Sequence, residues 1–157
     1  MNATAARRSV FLADETATLA WGAALAKRLV PGMLVTLSGE LGSGKTTLAR
    51  GVLRGLGYEG RVKSPTYTLV ELYNLSKLDL YHFDFYRFNE AGEWRDAGFR
   101  DYFGTQGVCL VEWPERVAQF LPRADLEITM TIEGEGRRLQ AVAETEQGKR
   151  CLDQLPD

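Results

Sequence analysis

Cysteine and histidine are scarce in this sequence of 157 residues, which contains two cysteines and a single histidine. Cys109 and Cys151 stand far apart without a CxxC pair. Together with the lone histidine, this excludes a zinc site of ordinary spacing. Two isolated cysteines also indicate reduced thiols, so the expected location is cytoplasmic.

The sequence also lacks a long apolar run and an excess of charge of either sign. Its first residues contain neither the apolar segment of a signal peptide nor the roughly 18 apolar residues of a membrane span, so neither secretion nor membrane insertion is expected. Nineteen basic and 21 acidic side chains give a formal net charge of -2. This excludes the bulk positive field of a dedicated nucleic-acid binder, and any role near RNA is expected to be indirect or local.

What is present is a globular composition, with 45% hydrophobic and 25% charged residues. The length corresponds to about one domain at the usual 100–200 residues per domain, so we expect a single domain over residues 1–157.

Hydrophobic periodicity predicts alternating strands and helices, followed by hairpins. Strands are predicted at 10–12, 33–37, 67–73, 78–85, 108–111, 126–132 and 139–142, helices at 15–29 and from 46 to about 55, and a mixed, partly helical segment at 90–103. The pair 67–73 and 78–85 is predicted to be an antiparallel hairpin because a short polar stretch joins the two strands. The pair 126–132 and 139–142 is predicted to form a closing hairpin. This order predicts an α/β fold with a mostly parallel central sheet and an inserted antiparallel hairpin, flanked by helices.

Residues 39–46, Gly-Glu-Leu-Gly-Ser-Gly-Lys-Thr, match the pattern G-x-x-x-x-G-K-[ST] at every fixed position. The glycines permit a tight turn whose backbone N–H groups point at an anion, and the following helix adds its positive end. Lys45 is expected to bind the β- and γ-phosphates of a nucleotide, and the Thr46 hydroxyl to ligate Mg²⁺. The fold is therefore predicted to be P-loop NTPase-like.

An acidic residue at the end of a neighbouring buried strand must complete the magnesium site. Glu112 is the first candidate and Asp84 the second, and both can serve, one near the metal and the other positioning water or a mobile loop. The alternative for each is that it merely ends a strand or caps a helix. His82, in the same aromatic strand as Asp84, is interpreted as structural rather than catalytic.

The sequence favours adenine over guanine as the base. Residues 76–79 are a near miss for the guanine motif [NT]-K-x-D, but they lie between two hairpin strands and are interpreted as a turn. Residues 101–104 fit D-x-x-G without the buried strand that this motif requires. The expected ligands are therefore ATP and Mg²⁺.

Taken together, the segments 37–47, 63–71, 81–87 and 111–116 resemble the bacterial TsaE family. This family is the small ATPase of the tRNA threonylcarbamoyladenosine modification system, and the resemblance runs from about residue 14 to residue 138. It implies two partner proteins that share a kinase-like fold, one of which transfers threonylcarbamoyl to N6 of the adenosine beside the anticodon. ATP hydrolysis would reset this complex between cycles, so tRNA is an indirect partner.

The resemblance also implies roles for individual residues. It assigns phosphate binding to Gly42, Ser43, Gly44, Lys45, Thr46 and Thr47, magnesium binding to Thr46 and Glu112, and a catalytic or metal-site role to Asp84. With Lys45, the two acids are the expected catalytic residues.

Four further residues are expected near the nucleotide, each with a plainer alternative. Thr66 lies where related NTPases keep a loop that senses the γ-phosphate, although an ordinary strand lead-in is the rival interpretation. Trp113 packs over the nucleotide or against the core. By resemblance Thr16 approaches the base and Arg137 the nucleotide, while a helix cap and a solvated hairpin arginine are the alternatives.

No water-orienting group or arginine finger is evident in the sequence, which predicts slow turnover alone and stimulation on assembly. Two other classes stay open at this point. A small-molecule kinase fits the chain length, although no arginine-rich lid pattern is evident. A nucleotide-gated scaffold would bind ATP without hydrolysing it.

Overall fold

The computed structural model describes residues 6–88, 98–103 and 106–156. In these ranges the chain forms seven strands, three α-helices and two short 3-10 helices. Their bounds are β1 Ala6–Leu12, α1 Glu15–Ala26, β2 Leu34–Ser38, α2 Lys45–Gly55, β3 Val70–Asn74, β4 Asp79–Asp84, β5 Val108–Glu112, β6 Leu126–Glu133, β7 Gly136–Ala143 and α3 Glu146–Asp153, with 3-10 helices at Phe99–Tyr102 and Pro114–Arg116.

The seven strands form one mixed sheet in the order β1-β7-β6-β2-β5-β4-β3. The middle strands β6, β2, β5 and β4 are parallel neighbours, as predicted. Both predicted hairpins are present, as β3–β4 and β6–β7. The predicted mostly parallel sheet is parallel only in its middle, because β1, β7 and β6 at one edge and β3 at the other pair antiparallel. Short turns join β3 to β4 and β6 to β7, and such turns cannot make a parallel crossover.

The three α-helices contribute buried side chains to one core on one face of the sheet. Helices α1 and α2 approach each other closely at glycines: a Cβ on Gly22 would lie 2.7 Å from the Leu48 carbonyl oxygen, and a Cβ on Gly51 would lie 2.5 Å from that of Leu19. The predicted flanking by helices is therefore observed on one face only, within the part of the chain that the structure describes.

An aromatic cluster covers part of the other face of the sheet. Phe83 and Phe85 are fully buried there, and the rings of both lie within 6 Å of Phe99 from the first 3-10 helix. The predicted mixed segment 90–103 falls partly outside the described residues, and its last part is this 3-10 helix. The cluster anchors β4, which carries Asp84, against the body of the protein.

Strands β1 and β7 begin at Ala6 and Gly136, earlier than the predicted residues 10 and 139. Two other predicted boundaries are wrong for local reasons. Helix α1 ends at Ala26 rather than at residue 29. The N–H groups of Arg28 and Leu29 donate to carbonyl oxygens three residues earlier, instead of four as in an α-helix. Pro31 also disfavours helical backbone in the residue before it. Strand β3 begins at Val70 rather than at residue 67. Leu69 adopts a φ of 70° and donates its N–H to the Pro65 carbonyl oxygen at 2.7 Å, so residues 65–69 form a turn.

Helix α3 is an element that the sequence interpretation missed. Its N-cap Thr145 accepts a hydrogen bond from the Gly148 N–H at 3.0 Å, and Cys151 and Leu152 are buried in the helix-side core. The C-terminal segment is thus part of the fold. Among the described residues, no helix is both long and apolar enough to cross a membrane.

Candidate functional site

The sheet topology brings the candidate residues to one edge. In the parallel register, Glu112 at the end of β5 pairs with Leu37 of β2 on one side and with Asp84 of β4 on the other. The glycine loop, defined as residues 39–46, starts just after β2. Because parallel strands end at the same edge of a sheet, the loop and both acids meet there.

Three glycines of the glycine loop, Gly39, Gly42 and Gly44, have a positive φ that favours glycine, and two of them determine how the loop runs. A Cβ on Gly39 would lie 2.4 Å from the Met130 carbonyl oxygen, and the φ of this residue is 144°. Gly44 has a φ of 103° and is the N-cap of α2. The loop therefore passes close to β6 and delivers the positive N-terminal end of α2 to the edge of the sheet.

A cavity of about 310 Å³ lies at this edge, which is within the usual range for a small-molecule site. The glycine loop and the start of α2 supply five of the predicted residues that line it: Gly42, Gly44, Lys45, Thr46 and Thr47. The rest of the fold supplies five more: Thr66, Asp84, Glu112, Trp113 and Arg137.

Lys45 is held inside the site and is only 5% exposed. Its ammonium group donates to the Gly39 carbonyl oxygen and lies 3.8 Å from the centre of the Trp113 ring. Burial lowers the pKa of Lys45 below its ordinary value, while the nearby carboxylates of Glu112, Glu115 and Asp84 oppose this shift. A buried cation of this kind favours an anionic ligand.

Thr46 and Glu112 lie next to each other in the lining of the cavity. The Thr46 Oγ1 lies 3.5 Å and 3.4 Å from the two carboxylate oxygens of Glu112, longer than a typical O–H···O bond. A hydroxyl and a carboxylate side by side form the oxygen donor set that Mg²⁺ prefers, so the residues present fit this ion. Glu112 also contacts the Nε2 of His82 at 2.6 Å.

Asp84 has different partners, all on its own strand end or on the loop before β3. Its Oδ1 accepts the Tyr86 N–H at 2.9 Å. Its Oδ2 accepts the Thr66 hydroxyl at 3.1 Å and also the Ser64 hydroxyl. Asp84 therefore fixes residues 64–66 at the rim of the cavity, where a loop contacting bound nucleotide is expected.

Trp113 adopts a left-handed backbone conformation with a φ of 58°, which is uncommon for a residue other than glycine. The backbone N–H of Trp113 donates to the Leu37 carbonyl oxygen at 3.3 Å, and the centre of its indole ring lies 4.9 Å from that of the Tyr86 ring. The strained backbone thus places the ring over Lys45 at the cavity, and the ring also packs against the aromatic cluster.

Arg137 reaches from β7 to the glycine loop. Its Nη2 donates to the Gly42 carbonyl oxygen at 3.0 Å, and its Nη1 to that of Gly136 at 2.8 Å. The buried Nε has no hydrogen-bond partner among the described residues. The guanidinium group thus lies against the loop instead of extending freely into solvent.

Two predicted residues do not line the cavity. Ser43 is buried in the glycine loop, and its Oγ has no hydrogen-bond partner within the described ranges. Thr16 is exposed on the first turn of α1, and Asp14 caps this helix by accepting the Ala17 N–H at 2.8 Å. Thr16 also does not line the neighbouring cavity of about 100 Å³ beside Thr47 and Arg137, and its contact with the base stays a prediction.

The structure adds residues that the sequence interpretation missed or set aside. Ser64 and Tyr86 line the cavity and bond Asp84, and Leu41 lines it as well. His82 contacts Glu112, and the signal for it was strand periodicity: it lies two residues before Asp84 and so shares its face of β4. Residues 75–78 form the turn of the β3–β4 hairpin, closed by the Leu75 N–H donating to the Leu78 carbonyl oxygen at 3.2 Å, so the segment 76–79 lies in the turn and the first residue of β4, between the two hairpin strands as predicted.

Fold and site together define an α/β protein that presents a glycine loop, a buried lysine and two acids at the carboxyl edge of its parallel strands. A family model described as "Threonylcarbamoyl adenosine biosynthesis protein TsaE" matches residues 12–140. The chain belongs to the TsaE family, as its sequence motifs indicated.

Individual relatives agree with this assignment. A protein of Haemophilus influenzae named "tRNA threonylcarbamoyladenosine biosynthesis protein TsaE" is 42% identical over 147 residues, which cover 90% of this chain and 93% of that protein. The Bacillus subtilis protein of the same name is 44% identical over 108 residues, covering 69% of this chain and 67% of that one. The crystal structure of Bacillus subtilis YdiB superposes with a TM-score of 0.82 at 30% identity, covering 97% of this chain and 95% of that one.

Proposed function

We propose that this protein is a Mg²⁺-dependent ATPase with a P-loop NTPase-like fold that acts in tRNA threonylcarbamoyladenosine biosynthesis. The observation that carries the proposal is the meeting of Lys45, Thr46 and Glu112 with the glycine loop at one cavity. The family to which the chain belongs supplies the biological setting.

The glycine loop and Lys45 bind the phosphates of ATP. The first residues of α2 and the buried Lys45 line the same cavity, and a helix N-terminus and an ammonium group both favour negative charge. The contact of Lys45 with the Gly39 carbonyl and with the Trp113 ring holds the ammonium group in place before the nucleotide arrives. Arg137, next to Gly42, adds a second cation at the loop.

Thr46 and Glu112 would hold Mg²⁺ between them. When bound, the ion neutralises charge on the β- and γ-phosphates. The rest of the site consists of the chain's own groups: Lys45 binds phosphate oxygens, and Asp84 holds the loop at residues 64–66 close to the reacting end of the nucleotide.

Hydrolysis transfers the γ-phosphoryl group to water. The water oxygen forms a bond to the γ-phosphorus, the bond from that phosphorus to the bridging oxygen breaks, and ADP, inorganic phosphate and the proton lost by the water leave. Lys45 stabilises the negative charge that builds up on the phosphoryl oxygens. Because the sequence offers no evident water-orienting group, turnover is slow in the isolated chain and rises on assembly with partners.

The partners are the two kinase-fold proteins of the threonylcarbamoyl transferase complex, and tRNA is reached through them. One partner modifies N6 of the adenosine beside the anticodon, while this chain resets the complex by hydrolysing ATP in the cytoplasm. The net charge of -2 supports an indirect role at tRNA, since it provides no general attraction for phosphates.

The test is phosphate release from ATP by the purified chain, alone and with the two partner proteins from the same cell. We expect slow release alone and a clear stimulation by the partners, which Glu112→Ala abolishes. Fast release without partners, or transfer of phosphate to a small metabolite, would contradict the proposal and favour a small-molecule kinase.

A further inference from the structure

His82 lies directly behind Glu112, inside the protein. The imidazole ring is 0% exposed and Glu112 only 2%. The Nε2 of His82 and the Oε2 of Glu112 are 2.6 Å apart, which is a short hydrogen bond between two buried groups. Because the contact is shielded from water, it fixes the carboxylate more firmly than a surface contact does.

The strand register explains why the two side chains meet. His82 of β4 pairs with Leu110 of β5, and two residues further on Asp84 pairs with Glu112. Residues two apart on a strand share a face, so His82 lies on the same side of the sheet as the two acids. Phe83 packs in the aromatic cluster on the opposite face and leaves β4 little freedom to shift.

The surroundings of the ring define which nitrogen donates. The Nδ1 of His82 is buried and has no hydrogen-bond partner among the described residues. A hydrogen on Nδ1 would therefore be unsatisfied, whereas a hydrogen on Nε2 donates to the carboxylate. Nε2 is therefore the nitrogen that donates to Glu112.

The bond to His82 leaves Glu112 oriented toward Thr46. One carboxylate oxygen of Glu112 accepts the Nε2 hydrogen, and both carboxylate oxygens lie within 3.5 Å of the Thr46 hydroxyl at the cavity. We propose that His82 is a positioning residue whose Nε2 hydrogen holds the Glu112 carboxylate in the orientation that binds Mg²⁺ together with Thr46. This proposal rests on the proposed Mg²⁺-ATP site and names a residue that acts on it through Glu112.

The first test compares His82→Gln with His82→Met. The two replacements have similar length and volume, but only glutamine keeps an N–H donor near the position of Nε2. The measurement is the Mg²⁺ concentration needed for half-maximal binding of a fluorescent ATP analogue, with binding in EDTA recorded alongside. We expect His82→Met to raise that concentration about 10–100-fold, the usual effect of losing a group that orients a metal ligand.

We further expect His82→Gln to recover most of the wild-type Mg²⁺ response and both variants to bind the analogue in EDTA like the wild type. Leu152→Ala is the matched control, since it empties a buried position on α3, a helix that packs against Asp125 before β6 and lines no part of the cavity. It should lower the melting temperature without changing the Mg²⁺ midpoint. A wild-type midpoint in His82→Met, or equal impairment in the Gln and Met variants, would overturn the proposal.

The second test uses the wild-type chain and so does not depend on how the variants fold. His82 is the only histidine in the sequence, so in protein without a histidine tag its ring signals in a nitrogen-15 NMR spectrum need no assignment. We expect the signature of a hydrogen on Nε2, with a shift of this signal in Glu112→Gln. A ring without a hydrogen on Nε2, or a signal unaffected by Glu112→Gln, would contradict the proposal.

The two kinds of failure are distinguishable. If wild-type binding of the ATP analogue shows no response to Mg²⁺, the proposed function loses its metal site. If the wild type responds to Mg²⁺ and His82→Met responds equally, only the role of His82 is lost.

Discussion

At the scale of single residues, the two acids at the strand ends differ in the donors that surround them. Glu112 faces Thr46 and is held by His82, whereas the oxygens of Asp84 accept hydrogen bonds from Ser64, Thr66 and the Tyr86 N–H. Glu112 is therefore placed to bind a metal ion with Thr46. Asp84 is placed to hold the loop that precedes β3.

The first prediction concerns the charge of Glu112. Glu112→Gln keeps the shape of the side chain but removes the negative charge that Mg²⁺ needs, so we expect Mg²⁺-dependent ATP hydrolysis to fall about 100-fold or more. Glu115→Gln makes the same chemical change on a nearby exposed acid and should stay close to wild type. Phosphate release by both variants in the presence of the partners tests this, and equal rates in the two variants would contradict it.

The second prediction concerns the cysteines. Burial raises the pKa of the Cys109 thiol to about 12 and that of Cys151 to about 11, so almost no reactive thiolate is present at pH 8. We expect both thiols to react slowly with a disulfide reagent in the folded protein and at least about 100-fold faster in guanidinium. Rapid labelling of either thiol in the native state would show that the core is more open than described.

The residues of the site were predictable to the extent that a local pattern encodes them. The spacing from Gly39 to Thr46 points to Lys45 and Thr46 without knowledge of the fold, and the strand ends point to both acids. Ser64 and His82 were not recognised as partners of these acids, because their contacts depend on how β4 lies against β5 and on the turn before β3. Strand pairing between distant segments sets that arrangement.

At the scale of elements, the contact between α1 and α2 depends on glycines, which have no side chain, at the point where the helices meet. Gly22 and Gly51 let the two helix backbones approach to distances that a Cβ would not permit. The helix that carries Lys45 and Thr46 at its first turn is therefore positioned by a close backbone contact as well as by its apolar face.

The third prediction tests this contact with Gly51→Ala. Helix propensity alone would stabilise α2 by about 1 kcal/mol, but the added methyl group would lie 2.5 Å from the Leu19 carbonyl oxygen. Overpacking of this kind costs about 1–3 kcal/mol, so we expect the melting temperature to fall by several degrees. Arg50→Ala, at the neighbouring position on the same helix, should change the melting temperature little. Thermal unfolding of both variants tests this, and an unchanged or higher melting temperature in Gly51→Ala would contradict the prediction.

The elements themselves were mostly predicted, and the errors lie where local and long-range signals differ. Strand β3 starts late because Leu69 closes a turn with Pro65, although residues 67–69 are compatible with a strand. Helix α3 was missed because it is short and mostly polar, and its stability comes from Cys151 and Leu152 packing on a core built by other segments.

At the scale of the whole molecule, the sheet is parallel in the middle and antiparallel at its edges. The sequence indicated two hairpins but not how they join the parallel strands, because β1 pairs with β7 from the opposite end of the chain. Nothing local to β1 encodes that pairing. The site is formed by the parallel middle, and for this reason the location of the site was easier to predict than the edges of the sheet.

The fourth prediction concerns the pH dependence of stability. Burial and the neighbouring Glu144 raise the pKa of Glu127 on β6 above its ordinary value. The folded state therefore holds this proton more tightly than the unfolded chain, so the free energy of unfolding falls as the pH rises from the unfolded pKa through the raised folded pKa. The destabilisation is complete above the folded pKa and absent at acidic pH below the unfolded pKa.

Glu127→Gln removes the titrating group, so we expect the melting temperature at pH 7 to rise by about 1–2 °C. The gain should disappear below pH 4. Glu133→Gln, on the same strand, loses an exposed salt bridge with Arg138 and should not raise the melting temperature. If the melting temperature of Glu127→Gln stays above that of the wild type below pH 4, the cause is not the negative charge of Glu127 beside Glu144, and the prediction is wrong.

The most direct test of the whole account is the amount of threonylcarbamoyladenosine formed in tRNA by the two partner proteins, supplied with ATP, Mg²⁺ and the wild-type chain or Lys45→Ala. With the wild-type chain, we expect each transferase complex to modify many tRNA molecules, because ATP hydrolysis resets it after each cycle. With Lys45→Ala, we expect modification to stop after about one cycle. Equal yields with the two chains would contradict the claim that ATP turnover at this site drives the modification system.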